Sequence, residues 1–176
     1  MKKKVVYMLI EDLFEDTEVV YPYYRMLEAG YNMITVGPEM GKEYKGKYGL
    51  TMITDISGAE ARIDEAAAVV IPGGYAPDRL RRNKIMVGLV KKAHKECKIV
   101  AAICHGPWML VEADIIKGKK VTGFFSISTD LKNAGADYLD REVVVDENLI
   151  TSRGPKDLPI FCKSIIEMIE AYSAKS

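Results

Sequence analysis

The stretch Ile99 to Leu110, I-V-A-A-I-C-H-G-P-W-M-L, reads as buried strand, sharp turn and helix. Its apolar run stops after Ile103, and beyond Cys104, His105, Gly106 and Pro107 the apolar residues return at the wider spacing of a helix. Cys104 therefore stands at the turn, with small Ala102 two residues before it and small Gly106 two residues after. Small neighbours let a backbone bend tightly enough to present one side chain above the carboxyl edge of a sheet, the arrangement of a nucleophile elbow. Pro107 suits the first turn of the new helix, where its missing N–H is not needed. The free N–H groups of that turn are expected to favour thiolate over thiol at Cys104. A free cysteine more often packs as a small hydrophobe. Here the small-x-Cys-x-small frame argues for chemistry instead.

The flanking sequence supplies the sheet this elbow needs. Val5 to Ile10 and Ala66 to Ile71 are continuous apolar runs, the sign of strands buried on both faces. Tyr31 to Val36 reads as another strand, stopped by Gly37-Pro38. Helices are expected over 15–28, with Pro22 as a kink, over 83–95 with Met86, Leu89, Val90 and Ala93 inward, and over 156–172. Gly41, Gly46 and Gly49 punctuate a hairpin excursion over 41–54. A strand is expected near 121–124, a helix end at 131–135 and a hairpin turning at 146–148. Strands alternating with helices predict an α/β sheet, mainly parallel and covered on both faces, in a single domain spanning 1–176.

Composition narrows the partner. The 176 residues include 48% hydrophobic and 28% charged residues, so the chain is globular. Lys+Arg and Asp+Glu both number 25, so no basic surplus points to nucleic acid or an anionic membrane. Cys97, Cys104 and Cys162 form neither a disulfide framework nor a zinc spacing, and a reducing cytoplasm is the expected home. Lys2-Lys3-Lys4 precedes an apolar run that Glu11-Asp12 interrupt too early for a signal peptide, and no run reaches membrane-spanning length.

In a sheet of this kind the ligand site lies beyond the carboxyl ends of the strands. Three distant stretches meet there: 11–16, 72–78 and 104–105. A thiolate attacking a carbonyl needs a proton relay and donors for the developing oxyanion. Glu11, Asp12, Glu15 and Asp16 offer carboxylates, and Gly73-Gly74 offers bare N–H groups. Helix N-terminal capping is an equal account of Glu15 and Asp16. A carboxylate touching the cysteine would hold or shuttle a proton, because two negative groups in one pocket disfavour each other. Of the two histidines, His94 is expected on the polar side of its helix. His105 adjoins Cys104, although adjacent side chains at a sharp turn are expected to diverge. No metal-ligand spacing is present.

A-I-C-H-G-P-W at 102–108, P-G-G-Y-A-P-D at 72–78, F-E-D at 14–16, N-A-G at 133–135 and T-S-R-G-P-K-D-L at 151–158 together resemble the PfpI-type intracellular protease family of the ThiJ/PfpI superfamily. The resemblance runs the length of the chain. It implies a flavodoxin-like three-layer sandwich and a cofactor-free cysteine enzyme. It puts the nucleophile on Cys104, a buried hydrogen-bonding carboxylate on Glu15, the family histidine on His105 and an oxyanion hole on the N–H groups of Gly74 and His105. It also makes Asp78 the acid that reaches a neighbouring subunit's histidine, hence a homo-oligomer (dimer, trimer or hexamer). Phe124-Phe125 replaces a Tyr-Pro common in similar chains. The implied activities are glyoxalase III or deglycase chemistry on small dicarbonyls or glycated groups, or peptide hydrolysis. The first is favoured, because it needs residues of one chain only. A redox-sensing or chaperone-like stress protein is the non-catalytic alternative.

Overall fold

The computed structural model describes residues 3–173. In chain order its strands are β1 Val5–Leu9, β2 Asn32–Gly37, β3 Glu43–Lys45, β4 Thr51–Ile53, β5 Ile56–Ser57, β6 Ala66–Ile71, β7 Ile99–Ile103, β8 Lys120–Val121, β9 Asp137–Tyr138, β10 Val143–Asp146 and β11 Leu149–Ser152. The helices are α1 Asp16–Glu28, α2 Ala76–Leu80, α3 Lys84–Lys95, α4 Pro107–Glu112, α5 Ser128–Asn133 and α6 Leu158–Ser173.

Among the described residues seven strands form one sheet in the order β10-β11-β7-β6-β1-β2-β5. Only the β10–β11 hairpin is antiparallel; every other pairing is parallel. The core strands β2-β1-β6-β7-β11 follow the flavodoxin-like order, in which the switch point beside the first strand opens a crevice at the carboxyl edge. The expected mainly parallel α/β sandwich is what is found.

The unbroken apolar runs are explained by the two faces. Val5, Tyr7 and Leu9 of β1 join a core with α3 and α4 that includes Met86, Val90, Met109 and Leu110. Val6, Met8 and Ile10 point the other way, into a core with α1 and α6 that includes Val19, Met26, Phe161 and Ile165. Each such buried side chain contributes about 1.5–3 kcal/mol by leaving water. The helix expected over 83–95 begins after Asn83, whose side chain accepts hydrogen bonds from the N–H groups of Ile85 and Met86. The excursion over 41–54 is the antiparallel pair β3–β4.

Two local expectations, the loop over 72–78 and the strand near 121–124, are corrected, and two details are added. Helix α1 runs through Pro22, its seventh residue, as one continuous element. The loop over 72–78 becomes helix from Ala76, with Pro77 in its first turn. The strand near 121–124 shrinks to Lys120–Val121, paired with β9 outside the main sheet. Its continuation leaves that pairing because the Phe124 N–H donates to the Cys104 carbonyl at 2.8 Å. Edge strand β5 was not anticipated, being two residues long and thus without a readable period.

Candidate active site

β7 ends at Ile103, and Cys104 adopts a left-handed conformation, φ 61°. A non-glycine residue there is held by its surroundings at a cost in strain of about 1–3 kcal/mol. Its N–H is tied to the carbonyl of Ser152 at 3.0 Å, and the Gly106 N–H closes the turn on the Ile103 carbonyl at 2.8 Å. The thiol is thereby placed above the sheet edge, 7% exposed.

The loop after β6 meets it from one side. A Cβ on Gly73 would lie 2.6 Å from that of Cys104 and 2.9 Å from the His105 nitrogen, so only glycine permits this approach. Gly74 has φ +75°, and a side chain there would collide with the backbone of Leu13, Phe14 and Glu15. That contact joins the loops after β1 and β6: Phe14 pairs with Gly74 as an isolated bridge. In addition, Glu15 N–H donates to the Gly73 carbonyl at 3.2 Å and Tyr75 N–H to that of Leu13 at 2.8 Å. The backbone N–H groups of Gly74 and His105 lie on the Cys104 thiol's side and favour its charged form.

The carboxyl group at the thiol is that of Glu18. It is fully buried, its Oε2 accepts the Gly73 N–H at 2.7 Å, and it lies beside Cys104 across the bare face of Gly73. Oε1 is buried without a hydrogen-bond partner among the described residues. Burial, then the charge of Glu15, raise the Glu18 carboxyl to about 8. Burial, then the charge of Glu18, push the Cys104 thiol up to about 12. The helix-start preference for thiolate is thus outweighed by burial beside an acid, and the pair holds a proton through neutral pH. Once the pair has lost one of its two protons, moving the other from sulfur to carboxyl leaves the pocket's net charge unchanged.

Placing this carboxyl on Glu15 is corrected by the geometry. Glu15 is the residue preceding α1 and is itself buried, but its side chain is engaged elsewhere: Oε2 accepts from Lys47 Nζ at 2.9 Å and Oε1 from Thr17 at 3.4 Å. It makes no side-chain cap, and neither does Asp16 act as one. Asp16 instead accepts the N–H groups of Tyr48 and Leu50, as Asp12 accepts that of Lys45. Glu11 accepts the N–H of Asp12. The sign of Glu18 was present in the sequence: it shares the buried face of α1 with Pro22 and Met26, at four-residue intervals.

His105 does not diverge from Cys104. Its Nδ1 lies 3.2 Å from the sulfur, its Nε2 3.3 Å from Ser126 Oγ, and the ring stacks on Phe124 at 5.0 Å. Burial, then the nearby Lys47 charge, lower its pKa, so the ring is neutral at pH 7. Asp78 is exposed in the first turn of α2 and is not among the groups bonding His105 in this chain. His94 is half-buried rather than solvated, with Nδ1 unpartnered among the described residues. Beside Phe124, whose ring stacks on His105, a cleft of ≈ 470 Å³ opens between Phe125, Tyr138, Arg153 and Lys156. Among the described residues no three His, Cys, Asp or Glu side chains are grouped to hold a metal, and no helix is long and apolar enough to cross a membrane.

Comparison with known proteins shows the family and the fold. The chain is 42% identical over 173 residues to Protein/nucleic acid deglycase 2 of Escherichia coli, covering 97% of this chain and 100% of that protein. It is 41% identical over 157 residues to Deglycase PfpI of Pyrococcus furiosus, covering 89% and 94%. A crystal structure from Anabaena variabilis, of a two-domain protein with DJ-1/ThiJ/PfpI-like and ferritin-like domains, superposes with a TM-score of 0.94 at 49% identity. The match covers 96% of this chain and 48% of that one, so the chain spans about half of the two-domain protein. Residues 3–168 match the DJ-1/PfpI family, to which this chain belongs.

Proposed function

We propose that this protein is a cofactor-independent cysteine enzyme attacking reactive carbonyls, of deglycase or glyoxalase III type, with 2-oxoaldehydes such as methylglyoxal or their adducts on amines as substrates. The observation that carries this reading is the Cys104 sulfur set between the buried Glu18 carboxyl and two backbone N–H donors. Relatives named deglycases at about 40% identity support it.

In this reading the Cys104 S–H proton passes to the Glu18 carboxylate as Sγ adds to the aldehyde carbon, the carbonyl π pair moves to oxygen, and Glu18 delivers that proton to the oxygen, making the hemithioacetal and leaving Glu18 a carboxylate again. Glu18 then takes the hydrogen on that carbon as a proton and returns it to the neighbouring carbonyl carbon. The first carbon rises to the acyl level as the second is reduced to an alcohol, so no outside oxidant enters. Water hydrolyses the resulting 2-hydroxyacyl thioester and frees the thiol. From a glycated amine, sulfur displaces nitrogen from the carbinolamine carbon and the amine departs. The N–H groups of Gly74 and His105 face the developing charge.

The 3.2 Å contact between Cys104 and His105 favours a second reading, amide hydrolysis by a cysteine–histidine pair. That reaction needs a carboxylate to orient the imidazole, and Asp78 of a neighbouring subunit is the candidate. Exposed Val20, Tyr21, Tyr24 and Leu27 along α1 support assembly of a homo-oligomer. The test is conversion of methylglyoxal to a 2-hydroxy acid, and release of amine from a glycated amino acid, by wild type and Cys104→Ala. Loss of both in the variant supports the carbonyl reading. An oxidised thiol without product from the wild type would leave the redox-sensing role.

A further inference from the structure

Lys47 follows β3, at the turn of the hairpin that lies over the site. Its ammonium donates to Glu15 at 2.9 Å and lies over the rings of Tyr48 and Tyr75, at 5.2 and 5.8 Å from their centroids. The hairpin is fastened tightly to the loop after β1. Leu13 N–H donates to the Lys45 carbonyl at 2.6 Å, Lys47 N–H to that of Phe14 at 2.9 Å, and Asp16 accepts from Tyr48 and Leu50. The same segment of the loop holds Gly73 to Tyr75. The cation is therefore fixed beside the amide that faces the sulfur, and its field is felt by both His105 and Glu18, the two side chains touching the thiol. Glu15, by contrast, does not touch sulfur. It is the counter-charge that partly neutralises Lys47.

We propose that Lys47 is a specificity-determining residue, selecting reactants with an anionic oxygen next to the carbon that Cys104 attacks. Among carbonyl compounds the favoured class is the small 2-oxo and aldehydic acids, glyoxylate being the simplest, over neutral aldehydes. The carbonyl part of this inference rests on the function proposed above; selection by charge does not, and can be read without turnover. Any reagent that forms a C–S bond at Cys104 by expelling iodide, its thiol proton passing to Glu18 or solvent, experiences the same field.

The experiment compares alkylation of Cys104 by iodoacetate and by neutral iodoacetamide in wild type, Lys47→Met, Lys47→Arg and Glu15→Gln, at low and high salt. Peptide mapping separates Cys104 from Cys97, which is exposed. Lys47→Met keeps the aliphatic stem on the tyrosine rings and lowers the iodoacetate-to-iodoacetamide ratio by about five- to tenfold at low salt. Lys47→Arg restores the ratio, and Glu15→Gln raises it by about two- to threefold, because the counter-charge is gone. The affinity of glyoxylate as a reversible, hemithioacetal-forming competitor of glyoxal turnover moves in the same directions; glyoxylate serves as competitor because hydrogen transfer within it regenerates glyoxylate. An unchanged ratio in Lys47→Met, or a shift of Lys47→Met and Glu15→Gln in the same direction, overturns the proposal. If the alkylation ratios move as stated while glyoxal is not turned over, charge selection stands and the carbonyl reading fails.

Discussion

The two sides of Cys104 are built differently. Towards β6 the sulfur meets a buried carboxyl group, itself bonded to the Gly73 N–H, and an amide fixed by backbone pairing between two loops. Every part there comes from this chain. Towards β11 it meets a neutral imidazole whose outer nitrogen faces an exposed serine hydroxyl at 3.3 Å, with no carboxylate bonded to the ring among the described residues. A proton shuttle needs only an acid with a raised affinity for its proton, whereas an imidazole acting as a base needs an orienting partner. In the function proposed above, the first side carries the carbonyl chemistry and the second would need a neighbouring subunit's acid to act as a peptidase.

This contrast is broken most severely through Asp78. In the assembled protein Asp78→Asn should depress amide hydrolysis by on the order of 10³- to 10⁴-fold, while dicarbonyl turnover by the same preparation changes by less than about threefold. Parallel rate assays, with the mass in solution measured alongside, check this. Equal losses from a folded oligomer, or a fully active monomer, would remove the distinction between the sides.

Glu18→Gln retains the shape of the acid and removes its titration, so dicarbonyl turnover should fall by about a hundredfold or more. Glu15→Gln should leave turnover of neutral aldehydes within about threefold of wild type. Steady-state kinetics on the two variants checks the assignment, and a reversed order of effects would return the role to Glu15.

The same carboxyl should be visible in stability. Its proton is held to about 8 in the folded chain, against 4.5 for the free group, so between these values the native state binds more protons than the unfolded state. Stability from this group is complete below the unfolded value and is lost as pH rises through the folded one. Urea unfolding should therefore show wild type losing on the order of 3 kcal/mol relative to Glu18→Gln between pH 5 and pH 8. Parallel pH profiles for the two proteins would mean that Glu18 is ionised in the native state.

The smallest effect is expected on the imidazole side. Ser126→Ala removes an exposed hydroxyl from the outer nitrogen of His105 and should change dicarbonyl turnover by no more than about twofold. A large loss would show that the second side also takes part in that reaction.

Most of the architecture could be read from the residues, because burial on both faces of a parallel sheet leaves continuous apolar runs and caps such as Asn83 mark helix starts. The elbow at Cys104 and the approach of Gly73 and Gly74 were legible for a similar reason: each needs residue types that local backbone geometry permits and few others do. Very short elements such as β5 and the β8–β9 pair left no period to detect. Cys97 shows the same limit in the thiols, since its exposure depends on how the end of α3 meets the sheet.

Which acid meets the sulfur was decided in space. Glu15 and Glu18 are three residues apart at the start of one helix, and propensity treats both as favourable near its N-terminus. The sequence by itself determined that a cysteine would stand at a strand-to-helix turn facing a glycine loop and an acidic loop. Only the packing of α1 against the sheet turned Glu18 towards Cys104 and left Glu15, also buried, to hold Lys47. The reason is that a proton affinity depends on burial and neighbouring charge, and these exist only once the three loops have been brought together.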